Sequence, residues 1–319
     1  MTVLEDIQHT IASELSQLNE CMTEALSTSN ELMNEIVGNY LKTKGKQIRP
    51  ILVLLSAITD ATIDAAASIE MLHNASLIHD DVVDDTLTRR SRPTVNAIWD
   101  NHIAVLVGDF FVSSSLHKAV ATGDLRIIDT ISHLGRILSL GEIDQINKAR
   151  YHDITEESYL EIIGSKTASL FVACIKMGGY SVNASDEDIE RMCRFAQLFG
   201  LCFQIRDDIF DYFEDSRVGK PTGNDLREGK ITLPLLHVLS IDTLPRHKEM
   251  NELVRKDELS SEQIATLIAY AREFGGIDYA YDCVSRFRDE AVVIISHFPD
   301  TEIRRSFISL FDFIIARHN

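Results

Sequence analysis

The chain has 319 residues, 45% hydrophobic and 25% charged, a globular composition long enough to bury a large core and unlike that of a disordered chain. Its formal net charge of -18 opposes sequence-independent binding to nucleic-acid phosphates, so an anionic ligand has to be held by local cations or metal. Five cysteines without C-x-x-C spacing suit reduced, buried thiols better than disulfides or a zinc site.

The start of the chain lacks a basic n-region and an unbroken apolar h-region, and the expected location is the cytoplasm. Stretches such as Ile51 to Leu55 and Ala291 to Ser296 fall far short of the roughly 20 residues that cross a bilayer, so no membrane span is expected. Glycine (15) and proline (6) are scarce, no Asn-Gly or Asp-Gly hairpin signal occurs, and apolar residues recur at helical spacing. The pattern predicts an all-α fold, one large bundle of helices forming a single domain over 1–319.

Along the chain, Leu4, Ile7, Ile11, Leu15 and Leu18 form a first apolar stripe. Lys44, Lys46 and Arg49 precede Pro50, and Pro50 to Ala57 is apolar all round, which predicts an enclosed helix. Next, His79-Asp80-Asp81-Val82-Val83-Asp84-Asp85 lies within a helical pattern, where i, i+4 spacing brings Asp80 over Asp84 and Asp81 over Asp85. Like charges at that spacing destabilise a helix by roughly 0.2–0.5 kcal/mol per pair, so the arrangement calls for a counter-charge. Magnesium suits it, being held by one or two carboxylates together with substrate phosphate oxygens.

Arg89, Arg90 and Arg92 follow, then Lys166, ahead of Thr167 to Met177, much of which is apolar all round. After a linker in which Ser185 is the expected N-cap, Ile189, Met192, Cys193, Ala196 and Phe199 make a second stripe. It leads into Asp207-Asp208-Ile209-Phe210-Asp211, a second D-D-x-x-D set flanked by Phe203, Ile205 and Tyr212. Carboxylates among such residues are costly unless partnered. Lys220 and Lys230 lie in and after a Gly-, Lys- and Asp-rich segment, and Ile303, Phe307, Leu310, Phe311 and Ile314 form a third stripe. One acidic cluster alone reads as well as a solvated face; two, with basic residues at intervals between them, read as a site for a metal-bound anion.

As a set, these residues resemble the trans-prenyl diphosphate synthases. The matching motifs are Gly45-Lys46-x-x-Arg49-Pro50, Leu77-Ile78-His79-Asp80-Asp81-x-x-Asp84 with Arg89-Arg90, Gly108-Asp109-Phe110, Lys166-Thr167, Phe203-Gln204-x-x-Asp207-Asp208-x-x-Asp211, and Gly219-Lys220-Pro221-x-Gly223-x-Asp225 with Lys230. The resemblance implies antiparallel helices around a central active-site cavity, with two aspartate motifs at its mouth, and a homodimer. It implies three magnesium ions: Asp80 and Asp84 on two of them, Asp207 on a third with help from Asp211 or Asp225, and Asp81 and Asp208 acting at one remove. It assigns Arg89, Lys166 and Lys220 to an allylic diphosphate, and Lys46, Arg49, His73 and Arg90 to isopentenyl diphosphate. Thr167, Phe203, Gln204 and Lys230 join the substrate set, and His79 orients rather than acting as a base. Where the family often has Gly-Lys after the arginine pair, this chain has Ser91-Arg92.

The implied chemistry is ionisation of the allylic C–O bond, attack by the isopentenyl double bond, and proton removal by the released diphosphate. Ala75 and Ser76, one turn deeper than Asp80, are small where the family uses aromatics to stop at farnesyl length. A medium- or long-chain all-trans product is therefore expected, with Phe110, Phe111 and Leu140 as candidate floor residues. The alternatives are a farnesyl- or geranylgeranyl-length product, a class I terpene cyclase, whose second metal motif differs from Asp207 to Asp211, and a non-catalytic partner subunit, which usually lacks one motif.

Overall fold

Threonine, serine, asparagine and aspartate start most of the helices. Thr2 with Glu5, Thr59 with Thr62, Thr155 with Ser158, and Ser260 with Gln263 form reciprocal capping pairs, while Asn30, Asp100 and Thr301 cap through their side chains alone. Ser185 caps as expected, its Oγ accepting the Asp188 N–H at 3.1 Å. The computed structural model describes residues 2–42, 45–151, 155–213, 222–256 and 258–316, the side chains of 145–151 excepted.

In chain order the elements are α1 (Val3–Thr10), α2 (Ala12–Ala25), α3 (Glu31–Leu41), α4 (Ile48–Ser56), α5 (Asp60–Val83), β1 (Thr88–Arg89), β2 (Arg92–Pro93), α6 (Val95–Ile98), α7 (Asn101–Ala121), α8 (Leu125–Tyr151) and α9 (Glu156–Ile163). A π-helical turn (Gly164–Ala168) follows, then α10 (Ser169–Ser181), α11 (Asp186–Phe210), α12 (Asn224–Arg227), α13 (Leu233–Leu239), α14 (His247–Val254), α15 (Ser261–Glu273), α16 (Gly276–Ile295) and α17 (Glu302–Ile315). The all-α expectation holds; among the described residues β1 and β2 are the only strands.

By their contacts the residues group into two compact units, Met1–Gly135 with Leu170–Cys193, and Arg136–Ser169 with Arg194–Asn319. In the first, α5 packs most extensively along α7 and also on α2 and α4. Ala65, Ala66 and Ala67 are fully buried, and Ser68 and Ser115 exchange side-chain-to-carbonyl hydrogen bonds of 2.9 and 2.7 Å between α5 and α7. The first stripe is buried throughout, but on two helices, because the backbone breaks at Ile11. By length and mean hydropathy α7 passes as a membrane span. Its hydrogen bonds to α5 and the 3.0 Å ion pair of Lys118 with Asp64 tie it to that helix, while Val105, Leu106, Leu116 and Val120 stay exposed.

In the second unit α13 packs on α9, α15 and α16, and α16 on α17. Gly276 sits so close to α13 that a Cβ there would lie 2.1 Å from the Pro234 carbonyl oxygen. Phe195, Phe199, Phe307 and Phe311 form an edge-to-face cluster with centroids 5.3 to 5.8 Å apart for the perpendicular pairs. The third stripe is buried except for Ile303, which is 51% exposed because it lies in the first turn of α17. All five cysteines are free; Cys174, Cys202 and Cys283 are buried, and Cys21 and Cys193 half-buried.

Candidate active site

Each aspartate motif closes a long helix. α5 ends at Val83 and α11 at Phe210, so Asp84 and Asp211 are each the first residue past a helix end. This corrects the expectation that Asp80 to Asp85 lie on one continuing helix. Asp84 keeps the i, i+4 relation, its N–H donating to the Asp80 carbonyl at 2.8 Å, whereas Asp85 turns away in the left-handed region at φ 49°. A helix C-terminus carries partial negative charge, so carboxylates there are disfavoured by about 0.3–1 kcal/mol each until a cation arrives.

The middle aspartates behave alike. Asp81 is buried and its Oδ1 accepts both Nε and Nη2 of Arg89 at 2.8 Å. Burial raises its pKa, against the pull of that guanidinium. Asp208 is also buried; its Oδ2 accepts the Tyr159 hydroxyl at 2.6 Å and its Oδ1 the Gln204 amide at 2.7 Å. Burial, with repulsion from Asp207 and Asp211, pushes its carboxyl up to about 6 against those bonds.

In the first unit, Arg89 is delivered by a hairpin that the sequence did not announce. β1 and β2 pair Thr88 with Pro93 and Arg89 with Arg92, and the turn residues Arg90 and Ser91 both have positive φ, 53° and 60°. Asn96 ties the hairpin to the helix end, its amide donating to the Asp81 and Thr86 carbonyls at 3.2 and 3.1 Å. Gly45 lies against Arg90, whose Nη2 would be 2.6 Å from a Cβ there. Tyr40, Gly45, Gln47, Glu70, Asn74 and Arg90 line a cavity of about 60 Å³. Lys46 is exposed, and the Arg49 guanidinium stands 5.1 Å from the centre of the Phe171 ring.

His73 is buried near Arg49 and Arg90. Burial, then those two charges, hold its pKa well below the usual value, so it is a neutral imidazole. Its buried Nδ1 has no hydrogen-bond partner within the protein. His79 contacts the Val105 carbonyl at 3.2 Å and Asp109 at 3.6 Å, in keeping with an orienting role. Ala75 is fully buried, and the Ser76 hydroxyl donates to the His73 carbonyl at 2.9 Å. Of the candidate floor residues, Phe111 is buried edge-on to Tyr40 at 5.6 Å, Phe110 is half-buried, and Leu140 is 55% exposed.

In the second unit, Lys166 and Thr167 sit in the π-helical turn, and Lys166 pairs with Glu142. The Thr167 hydroxyl donates to Gln204 Oε1 at 2.7 Å. Asp211 accepts the backbone N–H groups of Asn224 and Asp225 at 2.9 and 3.0 Å, so it orders the start of α12. Asp225 is pushed up to about 8, by burial first and then by Asp208 and Asp211. Tyr159, Ile163, Lys166, Gln204, Asp225 and Lys230 contribute to a cavity of about 130 Å³, with Lys230 paired to Glu228 at 2.6 Å and Phe203 half-buried nearby on α11. Lys220 lies outside the described residues.

The oxygen-only donor sets at both helix ends fit magnesium. Among the described residues no three His, Cys, Asp or Glu side chains converge as a ready-made cage. A magnesium site completed by substrate oxygens does not require one. Sequence reasoning missed Tyr159, Glu142 and Asn96. Tyr159 stands seven residues before Lys166, a two-turn helical spacing that was the one available signal.

The model of the polyprenyl synthetase family matches residues 30–271. The octaprenyl diphosphate synthase of Escherichia coli (strain K12) is 31% identical over 320 residues, covering 98% of this chain and 99% of that one. The crystal structure of a decaprenyl diphosphate synthase from Rhodobacter capsulatus superposes with TM-score 0.91 at 28% identity, covering 98% of each chain. That of geranylgeranyl pyrophosphate synthase from Bacteroides thetaiotaomicron gives 0.84 at 34%, with 98% of each chain covered. The fold is thus the all-α isoprenoid synthase fold. The chain belongs to the polyprenyl synthetase family.

Proposed function

We propose that the protein condenses isopentenyl diphosphate with an allylic diphosphate primer and, over repeated cycles, makes a medium- or long-chain all-trans polyprenyl diphosphate. The protein is a prenyltransferase. The observation that carries this reading is a construction used twice: a long helix ending in two aspartates and an apolar pair, the middle aspartate buried and clamped, the third just past the helix end.

Asp80, Asp84, Asp207 and Asp211 would hold magnesium, three ions in this proposal, which when bound neutralises the departing diphosphate. Arg89, Lys166 and Lys220 grip the allylic diphosphate, and Lys230 joins the substrate set. Lys46, Arg49 and Arg90 bind isopentenyl diphosphate, together with the neutral His73. Thr167, Phe203 and Gln204 line the allylic side. Small residues at Ala75 and Ser76 support continued growth of the product.

A homodimer is part of the proposal, supported by the exposed apolar residues Val105, Leu106, Leu116 and Val120 on α7. Sedimentation at about twice the mass of one chain tests it. The family match crosses both compact units, which supports treating 1–319 as one synthase. Five free thiols support a cytoplasmic setting.

Incubation with labelled isopentenyl diphosphate, each allylic primer in turn and magnesium, followed by sizing of dephosphorylated products, tests the reaction. A ladder beyond geranylgeranyl is expected. The 34% identity to a geranylgeranyl pyrophosphate synthase makes a shorter product the second reading, and a ladder stopping there would select it.

A further inference from the structure

Gln204 joins two groups that the motifs list separately, Thr167 in the π-helical turn and Asp208 in α11. Its amide nitrogen donates to Asp208 Oδ1 at 2.7 Å, and its Oε1 accepts the Thr167 hydroxyl at 2.7 Å. The other Asp208 oxygen accepts the Tyr159 hydroxyl at 2.6 Å. An amide turned end for end would set its oxygen against a carboxylate and its N–H₂ against the hydroxyl. One orientation is therefore selected as long as Asp208 stays an acceptor facing Gln204. Tyr159 is buried, and its hydroxyl holds the carboxylate oxygen that Gln204 does not.

We propose that Tyr159 is a positioning residue which, through Asp208 and Gln204, fixes where the Thr167 hydroxyl lone pairs point into the cavity that these four residues share. The geometry also divides labour within the second aspartate pair. Asp208 spends an oxygen on each of two side chains and works as a scaffold. The role fits an allylic site in which Thr167 and the adjacent Lys166 meet the substrate at the reacting end, so it rests on the reading of the protein as a prenyltransferase.

The test is kinetics on Tyr159→Phe, Gln204→Ala and the double variant, with folding checked by circular dichroism. Losing a hydrogen bond to a charged group predicts a kcat about tenfold lower in Tyr159→Phe. KM for isopentenyl diphosphate should stay within about twofold, because none of the cations assigned to it belongs to this chain of hydrogen bonds. The double variant should be no slower than Gln204→Ala by more than about twofold, since groups acting as a unit do not add. Wild-type kcat in Tyr159→Phe, or effects that multiply, would overturn the proposal. If Tyr159→Phe does not fold, the cycle of Thr167→Val with Gln204→Ala reads the same chain from its other end, and multiplying effects there overturn it equally. A wild-type protein that forms no prenyl product with any primer would instead overturn the reading beneath.

Discussion

The ring of His79 occupies the space that a side chain at Gly108 would need, since a Cβ on that glycine would lie 2.1 Å from His79 Nε2. Gly108-Asp109 is thus the seat of the histidine that precedes the first aspartate pair. Gly108→Ala should destabilise the protein by about 1–3 kcal/mol, the usual cost of overpacking, and lower activity by displacing Asp80. Adding His79→Ala should recover most of the stability. Denaturant unfolding of the three variants checks this, and a double variant no more stable than Gly108→Ala would refute the contact.

Ser91 has φ 60° at the tip of the β1–β2 hairpin, where the family often has glycine. A non-glycine residue there costs roughly 1 kcal/mol. Ser91→Gly should raise stability by a few tenths of a kcal/mol to about 1 kcal/mol, after the loss to the more flexible unfolded chain. A lower unfolding midpoint would contradict it.

Arg89 supplies two N–H groups to the buried Asp81 oxygen. Arg89→Ala should cost about 1–3 kcal/mol, because it leaves a buried carboxylate unmatched. Asp81→Asn in that background should restore part of the loss. Urea titration of both variants decides, with equal midpoints as the outcome that would count against the argument.

Asp208 and Asp225 titrate near 6 and 8 in the folded protein, above the ordinary 3.8. The folded state therefore binds more protons than the unfolded one between those values. Their stabilising contribution is complete below about 4 and is lost as pH rises towards about 8. Metal-free protein should show a falling unfolding midpoint across that window, and magnesium should flatten the fall by stabilising the charged forms. Asp225→Asn should also flatten it, and should raise the midpoint at pH about 8. An unchanged slope in that variant would exclude Asp225 as the source.

The apolar periods made the helices legible, and the cap at Ser185 marked a start that the structure keeps. Both aspartate pairs were found on helices. Their ends were not, because Val83 and Asp84 continue the periodic pattern and only the left-handed Asp85 breaks it. The hairpin at Arg90 and Ser91 escaped because neither residue signals a positive φ. Tyr159 and Glu142 escaped because each acts on a partner far along the chain, Asp208 and Lys166, and local periodicity carries no such pairing.

The π-helical turn at Gly164–Ala168 sets a constraint of rotational phase. Its i→i+5 bonds accommodate one residue more than an α-helix would, and that residue rotates everything after it by about 100°. Deleting any one residue of the turn would let α9 run straight into α10 and swing Ser169 and its successors round the axis relative to Tyr159. The number of residues between Tyr159 and Ser169 is therefore fixed, quite apart from what each side chain does.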